Sequence, residues 1–574
     1  MTALTKDGWG DIFVFCAHIF VIWAFFIIVN FYTDITEGKG KTMRKSIKKL
    51  LTIGLCAVMG ASLLAGCGSS GGSEGSTGGA AGGEKVLNFG CQMYSDGIIN
   101  PSYDTNGAWN CMRFGVGEAL FKFNDEMVAE PWLAESAEHS DDYKTWTVKI
   151  KEGIKFSNGV DMTASKVKES FDRMMKEGPN GSTTPEKFVP YETKITADDK
   201  ANTLVFELPK ADFNLPGNLA HPATEIINVA DTENFESGVI GTGPYAVDSF
   251  TDQTGYTLVK NEYYYEDVPY DKVNVMFMGD ASAKTMALQS GQIDLAENIT
   301  NVADLEKFEK DDNFTVDVAA GVRTGFSWIN MKGVLKNDTL RKAMLMGIDY
   351  EGICKSSLIN GLYTAGYSVL PSTLAYGYEN LKNPYAYDAD AAKKMLDDAG
   401  IVDNDGDGIR ELDGKNINLK YVSYENRSLN DFSDAHTQYL KEIGIGVTAD
   451  YGSSDDQWSK LVAGEYDLNN NNWSTVANGD PTEYMANWYS KSEGNYCGYK
   501  NDKYDELYEK LTETSDTAKR AELFQEMQQI LIDDGVAVID GYYNSSMIYS
   551  KNVGYAHIHT ADYYWITTEI TPAE

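Results

Sequence analysis

Hydrophobic and polar positions divide the chain into stretches of different texture. From Ile12 to Tyr32 apolar and aromatic residues run with only His18 and Asn30 between them, over a length able to cross a bilayer. A second apolar run, Leu50 to Leu64, follows a short basic segment of Arg44, Lys45, Lys48 and Lys49 and is too short to span comfortably. From Lys85 the pattern changes to short alternating runs interleaved with helical periodicity. Val86 to Phe89 predicts a strand, and Gly115 to Phe123 a helix leading into a strand. Lys144 to Ile150 alternates as a strand, and Asp161 and Thr163 are placed to cap a helix running through Lys166 to Met175. Further strands are expected at Thr203 to Leu208, Thr257 to Lys260, Lys272 to Phe277 and Asn418 to Ser423. Amphipathic helices are expected at Ala281 to Gln289, Phe432 to Glu442, Asp505 to Leu511 and Ala518 to Ile532. Strands alternating with helices in this way give α/β lobes.

The boundary between these textures is Leu64-Ala65-Gly66-Cys67. Met43, the basic segment and the apolar run have the plan of an export signal, and the small residues before Cys67 resemble a bacterial lipobox. In a lipobox a diacylglyceryl group is added to the thiol, and cleavage leaves Cys67 as the new N-terminus. Two acyl chains anchor stably where one holds only marginally. Residues 43–66 are thus expected to be a lipoprotein signal peptide. Residues 1–42 read as an apolar extension upstream of the true start, because the signal at Met43 is complete by itself. Residues 67–84 carry the lipid site and a Gly/Ser run too poor in apolar surface to order, a flexible tether. Gly68-Ser69-Ser70-Gly71-Gly72 formally fits a nucleophile elbow, but a Gly/Ser tract generates that pattern by composition and no strand precedes it.

At 574 residues the chain is too long for one core. Its net charge of -36 leaves nothing to neutralise phosphate, which excludes nucleic acid as a partner. Such a surface favours solubility and concentrates cationic solutes weakly. The seven cysteines fall at 16, 56, 67, 91, 111, 354 and 497 with no CxxC or zinc spacing. Cys91 and Cys111 could pair in an exported protein, although scattered cysteines are more often buried thiols.

Pro131-Trp132-Leu133-Ala134-Glu135-Ser136, the strand Lys144 to Ile150 and the turn Gly153-Ile154-Lys155-Phe156-Ser157-Asn158-Gly159 together resemble the signature of the family 5 extracellular solute-binding proteins, the peptide- and nickel-binding subunits of ABC importers. Gly241-Thr242-Gly243-Pro244-Tyr245, Asn261-Glu262-Tyr263-Tyr264, Gln289 to Leu295, Leu340-Arg341-Lys342-Ala343 with Ile348-Asp349, and Tyr387-Asp388 before Ala391 to Leu396 resemble further blocks in the family's order. The resemblance implies an α/β, two-lobed periplasmic-binding-protein-like fold of type II, in the large cluster with an extra subdomain in lobe I. On that plan lobe I is 85–319 with an inserted subdomain at about 104–221, lobe II is 320–540, and 541–574 returns to lobe I. It also implies a monomer without cofactor or catalysis. Its partners would be a short peptide or other small solute, an ABC permease with its ATPase, and the membrane through the lipid. A nickel or metallophore complex is the alternative solute. A lipid-anchored hydrolase is the rival outside the class, opposed by the lack of HExxH and of GxSxG beyond the linker; a sensor that does not transport would have the same sequence.

Candidate ligand-binding residues follow from family position: Trp109, Asn110, Trp473 and Tyr484 as cleft walls, with Phe188 and Arg323 added, Arg323 opening a second-lobe strand where it could meet a carboxylate bidentately or merely sit on the surface. Peptide-binding members carry an aspartate for the ligand's α-ammonium at a place that falls on Ala477, so Asp480 or Glu483 would have to supply that charge. The arginine that grips carboxylates in nickel-binding members would fall at Ala223-Thr224. Asp403, Asp405 and Asp407 begin like an EF-hand loop, but position 12 is Gly414, leaving Glu411 or Asp413 as substitutes or the stretch as a plain acidic turn. His557-Ile558-His559 would put two imidazoles on one strand face, a soft-metal pair with no third ligand nearby in sequence.

Overall fold

The computed structural model describes residues 84–93, 97–102, 105–181 and 184–573. Cys67, the signal segment, the apolar extension and the Gly/Ser run lie outside them. Among the described residues no helix is long and apolar enough to cross a membrane.

Two lobes share one eleven-stranded sheet. From one edge the order is Gly446–Gly452, Asn418–Tyr424, Leu468–Ser474, Phe314–Ile329, Ala537–Ser550, Leu295–Glu297, Val86–Cys91, Lys272–Phe277, Gly255–Lys260 and Tyr245–Thr251, with Tyr363–Thr364 beside Ala537–Ser550. The first three strands belong to the second lobe and the last five to the first. The two long strands in the middle run through both. Phe314 to Ala320 pairs with Ser550 to Asn544, and the register then shifts between Ala320 and Arg323 and again between Gly325 and Phe326. Each shift bends a strand and sharpens its twist. Gly541, at φ 142°, and Gly321 stand in this bent stretch; a Cβ on Gly321 would lie 1.9 Å from the Tyr543 carbonyl oxygen, so only glycine fits.

A separate four-stranded sheet, Ala134–His139, Thr145–Ile150, Thr203–Glu207 and Lys194–Asp198 in spatial order, packs beneath the helix Ala164–Gly181. Alternation explains the layering: Trp146, Val148 and Ile150 are buried on one face while Thr147 is exposed on the other.

Helix ends follow their caps. Asp280 accepts from the Ala283 amide and Gly291 closes the helix Ala281–Ser290 in the left-handed region. Asp294 then takes the Asn88 backbone amide at 3.1 Å and its side-chain amide at 2.9 Å, tying the helix exit to the first strand. Two expectations are corrected here. The helix read from Gly115 onward instead spans Thr105–Arg113 and stops before Gly115, whose φ of 65° breaks it. Asp161 pairs with Lys155 and leaves the cap to Thr163, whose hydroxyl accepts from the Lys166 amide at 3.4 Å.

Candidate functional site

The lobes meet over the bent stretch of the long strands. Arg323 lies there inside the strand Phe314–Ile329 rather than at a strand start, 8% exposed. Its Nε donates to Asn472 Oδ1 and its Nη2 to the Asn472 carbonyl, both at 2.8 Å. Asn472 in turn donates to the Tyr363 hydroxyl at 3.0 Å, which donates to the Arg427 carbonyl at 2.8 Å. No carboxylate of the described residues forms an ion pair with Arg323. Burial, followed by repulsion from Arg427, pulls its pKa down to about 10.

Across from Arg323 stands Trp109, on the helix Thr105–Arg113, with its ring centroid 5.9 Å from the guanidinium carbon. The Trp109 indole N–H is buried without a hydrogen-bond partner among the described residues. Below it, Arg113 donates to the Asp562 carbonyl at 2.8 Å and pairs with the Asp562 carboxylate at 2.9 Å, both side chains 1% exposed. Tyr563 completes the corner 5.9 Å from Trp109, and its hydroxyl donates to the Ala477 carbonyl at 2.7 Å. The site therefore offers hydrogen-bond donors, a guanidinium and an indole, in a place walled by rings. The cavity beside Arg427 and Tyr543 measures about 40 Å³, room for little beyond a water, whereas one of about 380 Å³ lies between Phe213 and Asn214 on one side and Leu374, Asp480 and Arg520 on the other.

The other expected residues lie elsewhere. Asn110 is buried and donates to the Ile98 carbonyl at 3.0 Å. Phe188 is buried and stacks on His221 with centroids 3.8 Å apart. Trp473 pairs with Thr324, on the strand face opposite Arg323, among Phe326, Trp328 and Trp458. Tyr484 is buried against Phe326 and Trp488. Asp480 accepts from the Thr482 amide at 2.8 Å and pairs with Arg520 at 2.6 Å. Glu483 pairs with Lys187 at 2.6 Å. Both carboxylates are thus held by cations of the protein itself.

The acidic loop brings together ligand atoms of Asp403, Asp405 and Glu411 within 4.8 Å, the two aspartates on an exposed turn and Glu411 half-buried in the short strand Glu411–Leu412. Asp407 is apart from them, accepting from the Ile409 amide and from Asn416 at 2.8 and 2.7 Å. Asp403 is spent on the Gly408 and Gly406 amides, which lower its pKa.

His557 and His559 follow a strand instead of lying in one. Rather than converging on a metal position, His557 bridges Asp317 at 2.8 Å and Asp125 at 3.1 Å, while His559 faces the Asn124 carbonyl and accepts from the Ala561 amide. Cys91, Cys111, Cys354 and Cys497 are free and buried, so the possible Cys91–Cys111 bridge is not made.

Sequence reasoning missed Arg113, Asn472, Asp562 and Tyr563. A signal existed for two of them. Four consecutive asparagines, Asn469 to Asn472, in a strand with every one buried, mark a polar network where apolar residues would be expected. Asp562 heads an aromatic run whose charge has no neighbour in sequence to answer it.

Solved structures share this architecture. The Brucella suis NikA structure in complex with Fe(III)-EDTA superposes with a TM-score of 0.76 at 21% identity, covering 85% of this chain and 99% of that one. The Bacillus subtilis oligopeptide-binding protein AppA, in complex with a nonapeptide, gives 0.70 at 23% identity over 86% of this chain and 100% of its own. The fold is therefore that of the two-lobed binding proteins. By sequence, AppA of Bacillus subtilis (strain 168) is 26% identical over 81% of this chain and 88% of its own. The probable D,D-dipeptide-binding periplasmic protein DdpA of Escherichia coli (strain K12) is 26% identical over 73% and 80%. Residues 128–496, more than half of the chain, match the family described as bacterial extracellular solute-binding proteins, family 5 Middle, and the chain belongs to that family.

Proposed function

We propose that this chain is the solute receptor of an ABC importer, capturing short peptides between its lobes and delivering them to a permease, without catalysis of its own. Arg323 carries the reading: a buried guanidinium with no carboxylate partner among the described residues awaits one from a ligand. The unmet Trp109 N–H beside it asks for a second acceptor. A solute reaches the buried Arg323 when the lobes part at the bent strands, near 320 and 541, and binding shifts the balance back toward closure. Cys67 would tether the molecule by its lipid to the outer face of the cell membrane, the Gly/Ser run letting the lobes reach both solute and permease.

A nickel chelate is the second reading, favoured by the likeness to the NikA structures. Thermal-shift screening of the purified protein against di- to hexapeptides and a nickel–histidine chelate separates the two. A peptide that raises Tm in the wild type but not in Arg323→Met supports the peptide reading; a rise with the chelate alone overturns it, and turnover of peptides or esters overturns the receptor reading. Mass spectrometry of the processed protein reads the anchor, which requires a diacylglyceryl adduct on an N-terminal Cys67.

A further inference from the structure

The first lobe contains a second chamber, of about 380 Å³, that Arg323 and Trp109 do not line. At its floor Glu118 is wholly buried. The Tyr264 and Tyr265 hydroxyls both donate to its Oε1, at 2.9 and 2.7 Å, while Oε2 has no hydrogen-bond partner among the described residues. Burial pushes its pKa up to about 7 against the pull of those hydroxyls. Behind Gly117 lies a second buried carboxyl, Glu225, beside the Cys111 thiol, and burial raises its pKa well above the usual carboxylate range. A buried carboxylate at the chamber's floor, with an acceptor left unmet among the described residues, makes it a place for positive charge.

Its walls are aromatic. Tyr264 and Tyr265 lie 4.3 Å apart between centroids, and Trp132 meets Tyr564 edge-on at 5.7 Å. Around them Asp125, Glu130, Glu266 and Glu569 outnumber Lys122 and Lys151. His557 at the rim is occupied by Asp125 and Asp317. An anionic solute would meet repulsion from floor and rim, whereas a cation gains the carboxylate below and the negative faces of the rings beside it.

We propose that this chamber binds a small aromatic amine, its ammonium received by Glu118 between the two tyrosine hydroxyls and its ring by Trp132 and Tyr564. The ammonium takes Oε2 or displaces one hydroxyl from Oε1, and in either case supplies the donor that the fold withholds. This site is separate from the interlobe cleft and stands whatever solute the cleft takes.

Isothermal titration calorimetry of the full-length protein with tyramine tests it, with 4-hydroxyphenylacetate as the probe that keeps the ring and reverses the charge. Saturable binding of tyramine and none of the acid is expected. Glu118→Gln should weaken tyramine by at least about tenfold, and Trp132→Leu, at a half-exposed position that folding tolerates, by about threefold or more. Arg323→Met should leave tyramine affinity unchanged. Absence of tyramine binding, equal binding of the acid, or unchanged affinity in Trp132→Leu overturns the proposal, as does unchanged affinity in Glu118→Gln. Loss in Arg323→Met would move the amine to the cleft and overturn it as well.

Discussion

The Tyr563 hydroxyl donates to the Ala477 carbonyl at 2.7 Å, fastening the C-terminal segment to a loop of the second lobe. Other bonds clasp the same loop: Asn214 donates to the Asn478 carbonyl at 2.8 Å, and Asn478 donates to Asn218 Oδ1 at 2.7 Å. Lys187 and Glu483 add an ion pair, but its side chains are 57% and 43% exposed and such pairs contribute little. The neutral bonds therefore dominate, at about 0.5–1.5 kcal/mol each. Replacing Tyr563→Phe together with Asn478→Ala should expand the unliganded protein in small-angle scattering and weaken ligand binding on the order of tenfold. Lys187→Ala should do neither. An unchanged radius in the double variant would mean that the clasp does not set the balance.

Buried histidines make the fold acid-labile. Burial pulls His221 and His436 down to about 3 and His559 to about 4. A depressed folded-state pKa means that the unfolded chain takes up protons first, so the contribution is whole above about pH 6.5 and is lost as pH falls toward 4. Tm should drop between about pH 7 and 5, and His559→Gln should flatten part of that slope. A Tm independent of pH across this window would contradict the assignment.

His557 works in the opposite direction. Desolvation lowers its pKa, but Asp317 and then Asp125 outweigh it and the net shift is upward. A raised folded-state pKa gives stability that is present below about pH 6.5 and lost as pH rises through the folded value. His557→Gln should therefore cost more Tm at about pH 5.5 than at about pH 8.5. Equal losses at both would show that the two aspartates do not hold the charged ring.

The pair of Arg113 and Asp562 is buried on both sides. Asp562→Ala leaves a guanidinium buried without its carboxylate and should cost about 3–5 kcal/mol in urea unfolding. Replacing both, as Arg113→Met with Asp562→Leu, should recover most of that loss. Failure of the double variant to recover would show that Asp562 matters for its bond to the Trp565 indole rather than for the ion pair.

What local pattern dictates was legible. Lys272–Phe277 is a strand over the residues that alternate, and Ala281–Ser290 ends at the glycine that the turn requires. What depends on distant partners was not. Asp480 and Glu483 read as free charges because Arg520 and Lys187, which hold them, are 40 and 296 residues away. Trp473 reads as a cleft wall, yet strand pleating turns it to the face opposite Arg323, and a one-residue parity decides between those outcomes. Arg323 reads as an exposed or ligand-facing cation with equal ease, since only tertiary burial separates the two.

If the lobes turn about the register shift beside Arg323, the proposed ligand anchor lies close to the axis. Points near an axis travel least. A solute seated on Arg323 would keep that contact through much of the opening stroke, while the rim at Lys187 and Glu483 sweeps the widest arc. Capture and release would then be graded from the rim inward, with the anchor the last grip to be surrendered.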